Sequence, residues 1–378
     1  MQIIDPSTLA MAPWPPNDAG RPMLEALVRE GPAPFIRNVR ARMLALAIDG
    51  AVMPLVQVDA PPTQPNAYVC SPTTHYVDYA QREVALELAD QPALRHLLPP
   101  LLELLRPLLR LAQAERAVYV NNWLLSTNLY PPLSATAPAT LVRGLVAAYP
   151  THLIVFRSLN HALNGPLINQ LVAAGCLPVF SRQVYLLDPR DGAFRRRNNY
   201  GHDRRLARRS GYRWRDGASL PPQAAVRMRT LYDQLYLEKY SPYNPQLTAY
   251  AIARAMQSGW LNVSVLEQDG QLDGVLGTIS QHGVITAPVV GYERQHDERT
   301  GLYRLLMLAL IEQATANQQI LHFSSGAASF KRLRGAEGYA EYSLIYAKHL
   351  PAAHQAPWRL LAALSEQVII PLMQRYGL

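Results

Sequence analysis

Three strand-like runs joined by short glycine-bearing turns, followed by a long amphipathic helix, restrict most tightly what this chain can fold into. The runs are Leu261–Gln268, Leu272–Gln281 and Val284–Tyr292, with Gly270 and Gly283 in the turns. Glycine in a short connection closes an antiparallel hairpin, because it supplies the left-handed backbone the turn demands. The helix Tyr303–Gln318 follows, then a strand Ile320–Ser325, a short helix Ser329–Gly335 and a strand Tyr342–Ala347. Two helices precede the hairpins: one enters at Pro221 and Pro222 and runs to Tyr240, the other covers Leu247–Met256.

An earlier set alternates in the same way. Strands are expected at Ala117–Thr127, His152–Leu159 and Leu177–Leu187, and helices at Leu141–Ala148, Gly165–Ala174 and Asn198–Ser210. Gly175 and Gly211 stop the last two helices. This order predicts an α/β (α+β) chain in which each sheet is mixed, largely antiparallel and flanked by helices. Residues 1–115 read as a proline-rich, mostly helical region, with helical patterns at Met23–Arg29, Phe35–Ala47 and from Val77 onward. The expected division is 1–115, a first α/β domain over 116–220, a second over 221–350, and a C-terminal helix over 351–378.

Composition narrows the function classes. With 49% hydrophobic and 17% charged residues in 378, the chain has material for buried cores and is not disordered. No apolar run is long enough to span a bilayer. The first residues, Met1-Gln2-Ile3-Ile4-Asp5-Pro6, lack the basic-then-apolar pattern of a secretory signal. The two cysteines, Cys70 and Cys176, form no CxxC pair, so neither a disulfide framework nor a metal site is expected, and a reducing cytoplasm is the simplest home. Cys176 reads as a buried structural thiol rather than a nucleophile.

The order of elements over 221–350 resembles the GNAT acyltransferase fold, and 115–220 looks like a degenerate copy of it. Two tandem GNAT-like domains resemble the Fem-type aminoacyl-tRNA-dependent transferases and related acetyltransferase-like proteins. The most specific stretch is Ser324-Ser325-Gly326-Ala327-Ala328-Ser329-Phe330-Lys331-Arg332-Leu333-Arg334-Gly335. It is similar to the GNAT strand, small-residue turn and short helix. Many GNAT enzymes have a tyrosine where Lys331 stands, whereas Fem-like relatives often have Phe-Lys. The resemblance implies that Lys331, with Ser325 and Gly326, meets a phosphate or a developing oxyanion. It also implies a donor pyrophosphate at the start of the long helix, where Arg299, Gly301 and Arg304 stand, since helix N-termini favour anions. Here the usual second glycine is absent and Glu293, Asp297 and Glu298 crowd the loop. Acyl transfer to an amine needs a base and a proton donor; the candidates are Glu267, His282, Tyr292, Tyr303, Glu293 and His322. Lys331→Ala is expected to reduce turnover far more than stability.

The first half carries polar residues near strand ends: Asn122, Ser126 and Asn128, then Arg157 and Asn160, then Arg182. They suggest one substrate cleft, by analogy with open α/β sheets. The strongest charge feature in a chain of net charge +8 is Arg195 to Arg215. Arg204, Arg205, Arg208 and Arg209 share one side of a helix there and are expected to meet an anionic partner. Three readings stay open. One is acyl transfer to an amine-bearing acceptor from acyl-CoA or another thioester, including one on an acyl-carrier protein. The second is transfer from aminoacyl-tRNA. The third is a non-catalytic protein that binds RNA or a membrane surface.

Overall fold

The computed structural model describes the backbone of residues 1–59, 64–87, 91–371 and 373; side chains of 87, 94 and 297–299 lie outside the description. The chain forms two compact units, neither of them a continuous segment. Unit 1 is Met1–Arg182, Tyr243–Pro245 and Ala340–Leu378; unit 2 is Gln183–Pro242 and Gln246–Tyr339.

Twelve strands are described: β1 (Gln2–Ile4), β2 (Arg42–Ile48), β3 (Ala51–Val58), β4 (Ala117–Val120), β5 (Leu153–Asn160), β6 (Leu177–Leu187), β7 (Arg213–Asp216), β8 (Asn262–Gln268), β9 (Gln271–Gln281), β10 (Val284–Tyr292), β11 (Ile320–His322) and β12 (Glu337–Tyr346). In unit 1 the strand order is β1-β2-β3-β4-β5-β12; in unit 2 it is β7-β8-β9-β10-β11-β6. Each series is antiparallel except at one place, β4 with β5 and β10 with β11. The two units therefore repeat one mixed, GNAT-like sheet.

Turn chemistry fixes the hairpins. Asp49-Gly50 joins β2 to β3 in unit 1, and Asp269-Gly270 joins β8 to β9 in unit 2, both with left-handed φ at both residues. His282-Gly283 does the same between β9 and β10. Two left-handed residues make the turn whose twist matches a strand pair. The helical reading of Phe35–Ala47 is thereby corrected: Arg42–Ile48 is β2, buried along nearly its whole length. A second correction concerns Ala117–Thr127. The strand stops at Val120, because Asn121 and Leu124 have positive φ. The Asn122 side chain accepts from Leu124 N–H, and that of Asn128 accepts from Trp123 N–H. Such local bonds compete with the ladder and turn the chain out of the sheet.

One apolar face of each sheet is covered by helices. In unit 1, Val118, Val120, Ile154, Phe156 and Leu344 pack with Leu141, Leu145 and Leu171 from the helices Ala137–Ala148 and His161–Ala173. In unit 2, Leu276, Ile285, Val290 and Leu321 pack with Leu305, Leu306 and Leu310 from the helix Leu302–Ala316. On β10, Gly291 lets the helix Ala224–Asp233 touch the strand: a Cβ there would sit 2.4 Å from the Leu231 carbonyl carbon. Because that obstacle is backbone, Gly291→Ala must displace the helix. It is expected to lose about 3 kcal/mol in a urea unfolding curve; a wild-type midpoint would refute the close approach.

Candidate active site

The parallel pair in unit 2 opens at its end. β10 and β11 are in register through Val284–Ile320, Ile285–Leu321 and Thr286–His322, and the ladder then stops. β10 runs on to Tyr292 after a register irregularity between Thr286 and Val289 that contains Pro288. The other chain turns toward β6 instead, where Phe323 N–H donates to Tyr185 O and Tyr185 N–H to Ser324 O. Two diverging strands leave backbone amides along β10 without a ladder partner, a slot suited to an extended, amide-bearing ligand.

The slot ends on a strained turn. Ser324, Gly326 and Ala327 all have left-handed φ, at 60°, 75° and 50°. A non-glycine residue in that region carries strain. Lys331, in the helix Ala328–Arg332, is only 3% exposed. Its ammonium donates to Ser324 O at 3.2 Å and Ser325 O at 2.7 Å, and lies 5.3 Å from the Tyr185 ring centroid. Lys331 is thus a buried clamp on the turn rather than a solvated lysine. In unit 1, Ser158, near the end of β5, also has a left-handed φ, at 62°.

The titratable candidates differ in character. His322 is buried, and its Nδ1 accepts from Ser324 N–H at 3.0 Å. That bond places the ring proton on Nε2, so this His322 tautomer donates there rather than accepts. Burial, with Tyr240, Tyr236 and Tyr292 nearby, raises the Tyr303 phenol well above its usual value. It stays protonated and suits proton donation. Its ring lies 4.8 Å from Phe330 and 5.9 Å from Tyr292. Partial burial would raise the Glu293 carboxyl, but hydrogen bonds from Gln234, the Gln295 amide and Arg227 bring it below its ordinary value. It is a paired carboxylate, with little basicity to offer.

The helix start differs from the sequence expectation. Residues Arg294–Thr300 form a helix of their own, separated from Leu302–Ala316 by Gly301 alone, at φ 67°. A Cβ at Gly301 would sit 2.8 Å from Leu206. The Arg299 side chain lies outside the described residues. Arg304 donates to Asp203 at 2.7 Å, and the buried Arg334 donates to the other oxygen of the same carboxylate at 2.6 Å. Sequence reasoning missed Asp203 and Arg334; with partners 101 and 131 residues apart, no local spacing could reveal them.

Of the six polar residues of the first half, Asn122, Ser126, Asn128, Arg157 and Arg182 lie in or bond to residues 121–130, as a largely buried network rather than an open cleft. Asn122 donates to Val69 O, Asn128 to Ser158 Oγ, and Arg157 to Leu125 O. Arg182 donates to Ser126 O and forms a buried ion pair with Glu341 at 2.7 Å. Asn160 caps the helix His161–Ala173 by accepting from Leu163 N–H. Burial pushes the Cys176 thiol up to about 12, so it is not poised as a nucleophile.

The basic helix is Asn198–Arg209, with Tyr200 and Asp203 on its buried side. Arg204, Arg205, Arg208 and Arg209 are exposed and make no ion pair among the described residues. Trp214, 42% exposed, follows on β7.

Parallel strands that diverge beside a small-residue turn are features of a GNAT-like fold. Residues 193–340 match the family model described as "Acetyltransferase (GNAT) domain". With the sheet repeated in unit 1, the chain has a tandem GNAT-like fold, similar to that of FemX. Among solved structures, FemX aligns at 9% identity over 96% of this chain and 100% of its own, with a TM-score of 0.53. L-PGS from Bacillus licheniformis aligns at 13% identity over 66% and 82%, TM-score 0.47. A tandem GNAT protein from the clavulanic acid biosynthesis pathway aligns at 13% over 93% and 99%, TM-score 0.39. No curated protein matches the chain. Among the described residues, no helix is long and apolar enough to cross a membrane.

Proposed function

We propose that unit 2 transfers an acyl or aminoacyl group from an activated donor to an amine. The observation that carries this is the divergence of β10 from β11 inside the GNAT-matched segment. In this reading the acyl or aminoacyl end of the donor enters the slot along the open edge of β10. The acceptor amine loses a proton to solvent or a water relay and attacks the donor carbonyl. A backbone N–H of β10 beyond Thr286 stabilises the oxyanion. As the tetrahedral intermediate collapses, the protonated Tyr303 hydroxyl donates to the leaving group. Lys331 keeps the Ser324–Ala327 turn in place, and no covalent enzyme intermediate is needed.

For the donor, the favoured reading is aminoacyl-tRNA. The specific observation is the exposed, unpaired arginine face of Asn198–Arg209, with Trp214 beside it in sequence order on β7; guanidinium and indole groups suit phosphate and base contacts. The helix Arg294–Thr300, standing where coenzyme A-dependent GNAT enzymes have a glycine-rich loop, favours the same reading. The arginine residues Arg204, Arg205, Arg208 and Arg209 then hold the donor's phosphates, and the reaction runs in the cytoplasm.

Thermal unfolding with coenzyme A thioesters, with tRNA and with an unrelated RNA, at two salt concentrations, tests this. A ligand that binds the native state alone raises the midpoint, by the equivalent of about 2.7 kcal/mol at a hundredfold excess over Kd. The expected result is a shift with tRNA that shrinks with salt and is lost when Arg204, Arg205, Arg208 and Arg209 are all changed to Glu. A shift with thioesters alone would retain acyl transfer but replace the donor. No shift with either would sink the transferase reading.

A further inference from the structure

On the face of the unit 1 sheet opposite its helix-covered core lies a small polar cavity. Tyr119 on β4 pairs with Val155 on β5, and alternation puts Arg157 on that same face. β12 contributes Ser343 and Ile345, which flank the core-facing Leu344. The wide helical turn Thr74–Tyr79 brings His75, and the helix Ala352–Leu364 brings Trp358. Together these residues line a cavity that offers water about 20 Å³, room for little more than one molecule as it stands.

Its lining is rich in unmatched polar groups. Arg157 is 4% exposed and makes one hydrogen bond, to Leu125 O at 3.3 Å, besides lying 5.6 Å from the Tyr68 ring centroid. No carboxylate pairs with it among the described residues, whereas the neighbouring Arg182 has Glu341. Trp358 Nε1, Tyr119 Oη and His75 Nδ1 are buried with no hydrogen-bond partner. His75 Nε2 meets Ser181 Oγ at 3.1 Å. Burial, and then the charges of Arg157 and Arg182, hold the His75 imidazole neutral, well below its usual range. A guanidinium keeps its proton, so a buried one requires an anion or an extensive set of acceptors. An indole N–H can only donate. Side chains from three different elements thus present one cation, an indole N–H and a phenol O–H to one space, and no carboxylate pairs with the cation among the described residues.

We propose that this unit 1 cavity binds a small oxyanion, a carboxylate or phosphate group, with Arg157 as its charge partner and Trp358 and Tyr119 as additional donors. The site lies in unit 1 and is independent of the transfer chemistry assigned to unit 2.

The test titrates the full-length protein with acetate, butyrate and inorganic phosphate against sodium chloride at matched ionic strength, following thermal midpoint and tryptophan fluorescence. A saturable rise with at least one oxyanion beyond the chloride effect is expected; the anion that saturates at the lowest concentration identifies the ligand class. Arg157→Gln should weaken that affinity by roughly tenfold or more, since charge-assisted bonds are the strong ones. Trp358→Phe keeps the ring volume, removes one donor and should weaken it several-fold. Absence of saturation with every oxyanion would overturn the proposal, as would unchanged affinity in Arg157→Gln. Should Arg157→Gln fail to fold, unchanged affinity in Trp358→Phe overturns it equally. No turnover is read, so this outcome is separate from that of the transferase test.

Discussion

Glu341→Ala is expected to destabilise the protein by about 3–5 kcal/mol. Glu341 is fully buried, and its carboxylate meets Arg182 Nε at 2.7 Å, with side-chain exposures of 1% and 3%. Burial alone would disfavour the Arg182 charge; the Glu341 carboxylate, with Tyr68 beside it, raises the guanidinium above its ordinary value instead. Removing Glu341 leaves that cation in unit 1 without its counter-charge. The arginine also ties down the 121–130 segment through Ser126 O and Thr127 Oγ1, so the loss spreads beyond the pair. The double change Arg182→Met with Glu341→Leu removes both charges and is expected to lose much less than the sum of the single changes. Urea unfolding of the two single variants and the double variant gives the coupling. A single-variant loss below about 1 kcal/mol would mean that water reaches the pair and that the network is not closed.

The second half of the fold was legible because its hairpins announce themselves. Gly270 and Gly283 mark the turns, and the three strands around them lie within a residue of the runs read from sequence. The same signal stands at Asp49-Gly50 but was outweighed: Met43-Leu44-Ala45-Leu46-Ala47 is made of strong helix formers, and only sheet packing on both sides makes it a strand. β7 was hidden by its composition, Arg213-Trp214-Arg215-Asp216, an exposed edge strand with no apolar face to read. β12 begins at Glu337, five residues before the apolar run that betrays it.

At the candidate site, what was legible was local. Gly301 at the helix start and the small-residue turn at Ser325-Gly326 are where the sequence pattern puts them. What escaped was every property set by distant partners. The Asp203 bridge between Arg304 and Arg334 and the Arg227 and Gln234 grip on Glu293 are made by tertiary structure. The polar strand ends of the first half were visible as a group. Their burial was not, since Asn, Ser and Arg ordinarily mark surface, and the acid that makes it tolerable, Glu341, is 159 residues from Arg182.

Lys331→Ala tests the site most severely, and the structure changes what it should do. Sequence alone predicts a large loss of turnover with little loss of stability. In the folded protein, however, the ammonium bonds two carbonyls of a turn that carries three left-handed residues. Without it, Ser324 O and Ser325 O lose a charged donor while the backbone strain remains. The expected loss of stability is about 1–3 kcal/mol. The relaxed turn should also move Phe330 and, through it, Tyr303, whose rings lie 4.8 Å apart. Misplacement of about 1 Å in such a site lowers rates on the order of a hundredfold. Lys331→Met restores the buried chain but not the bonds. It separates packing from clamping, and it should recover part of the stability and little of the turnover. Because Lys331 positions rather than reacts, kcat should fall more than donor affinity, and the midpoint shift given by the bound donor should persist in reduced form. A Lys331→Ala protein that melts with the wild type and retains its turnover would show that the turn stands without its clamp, and would remove Lys331 from the site.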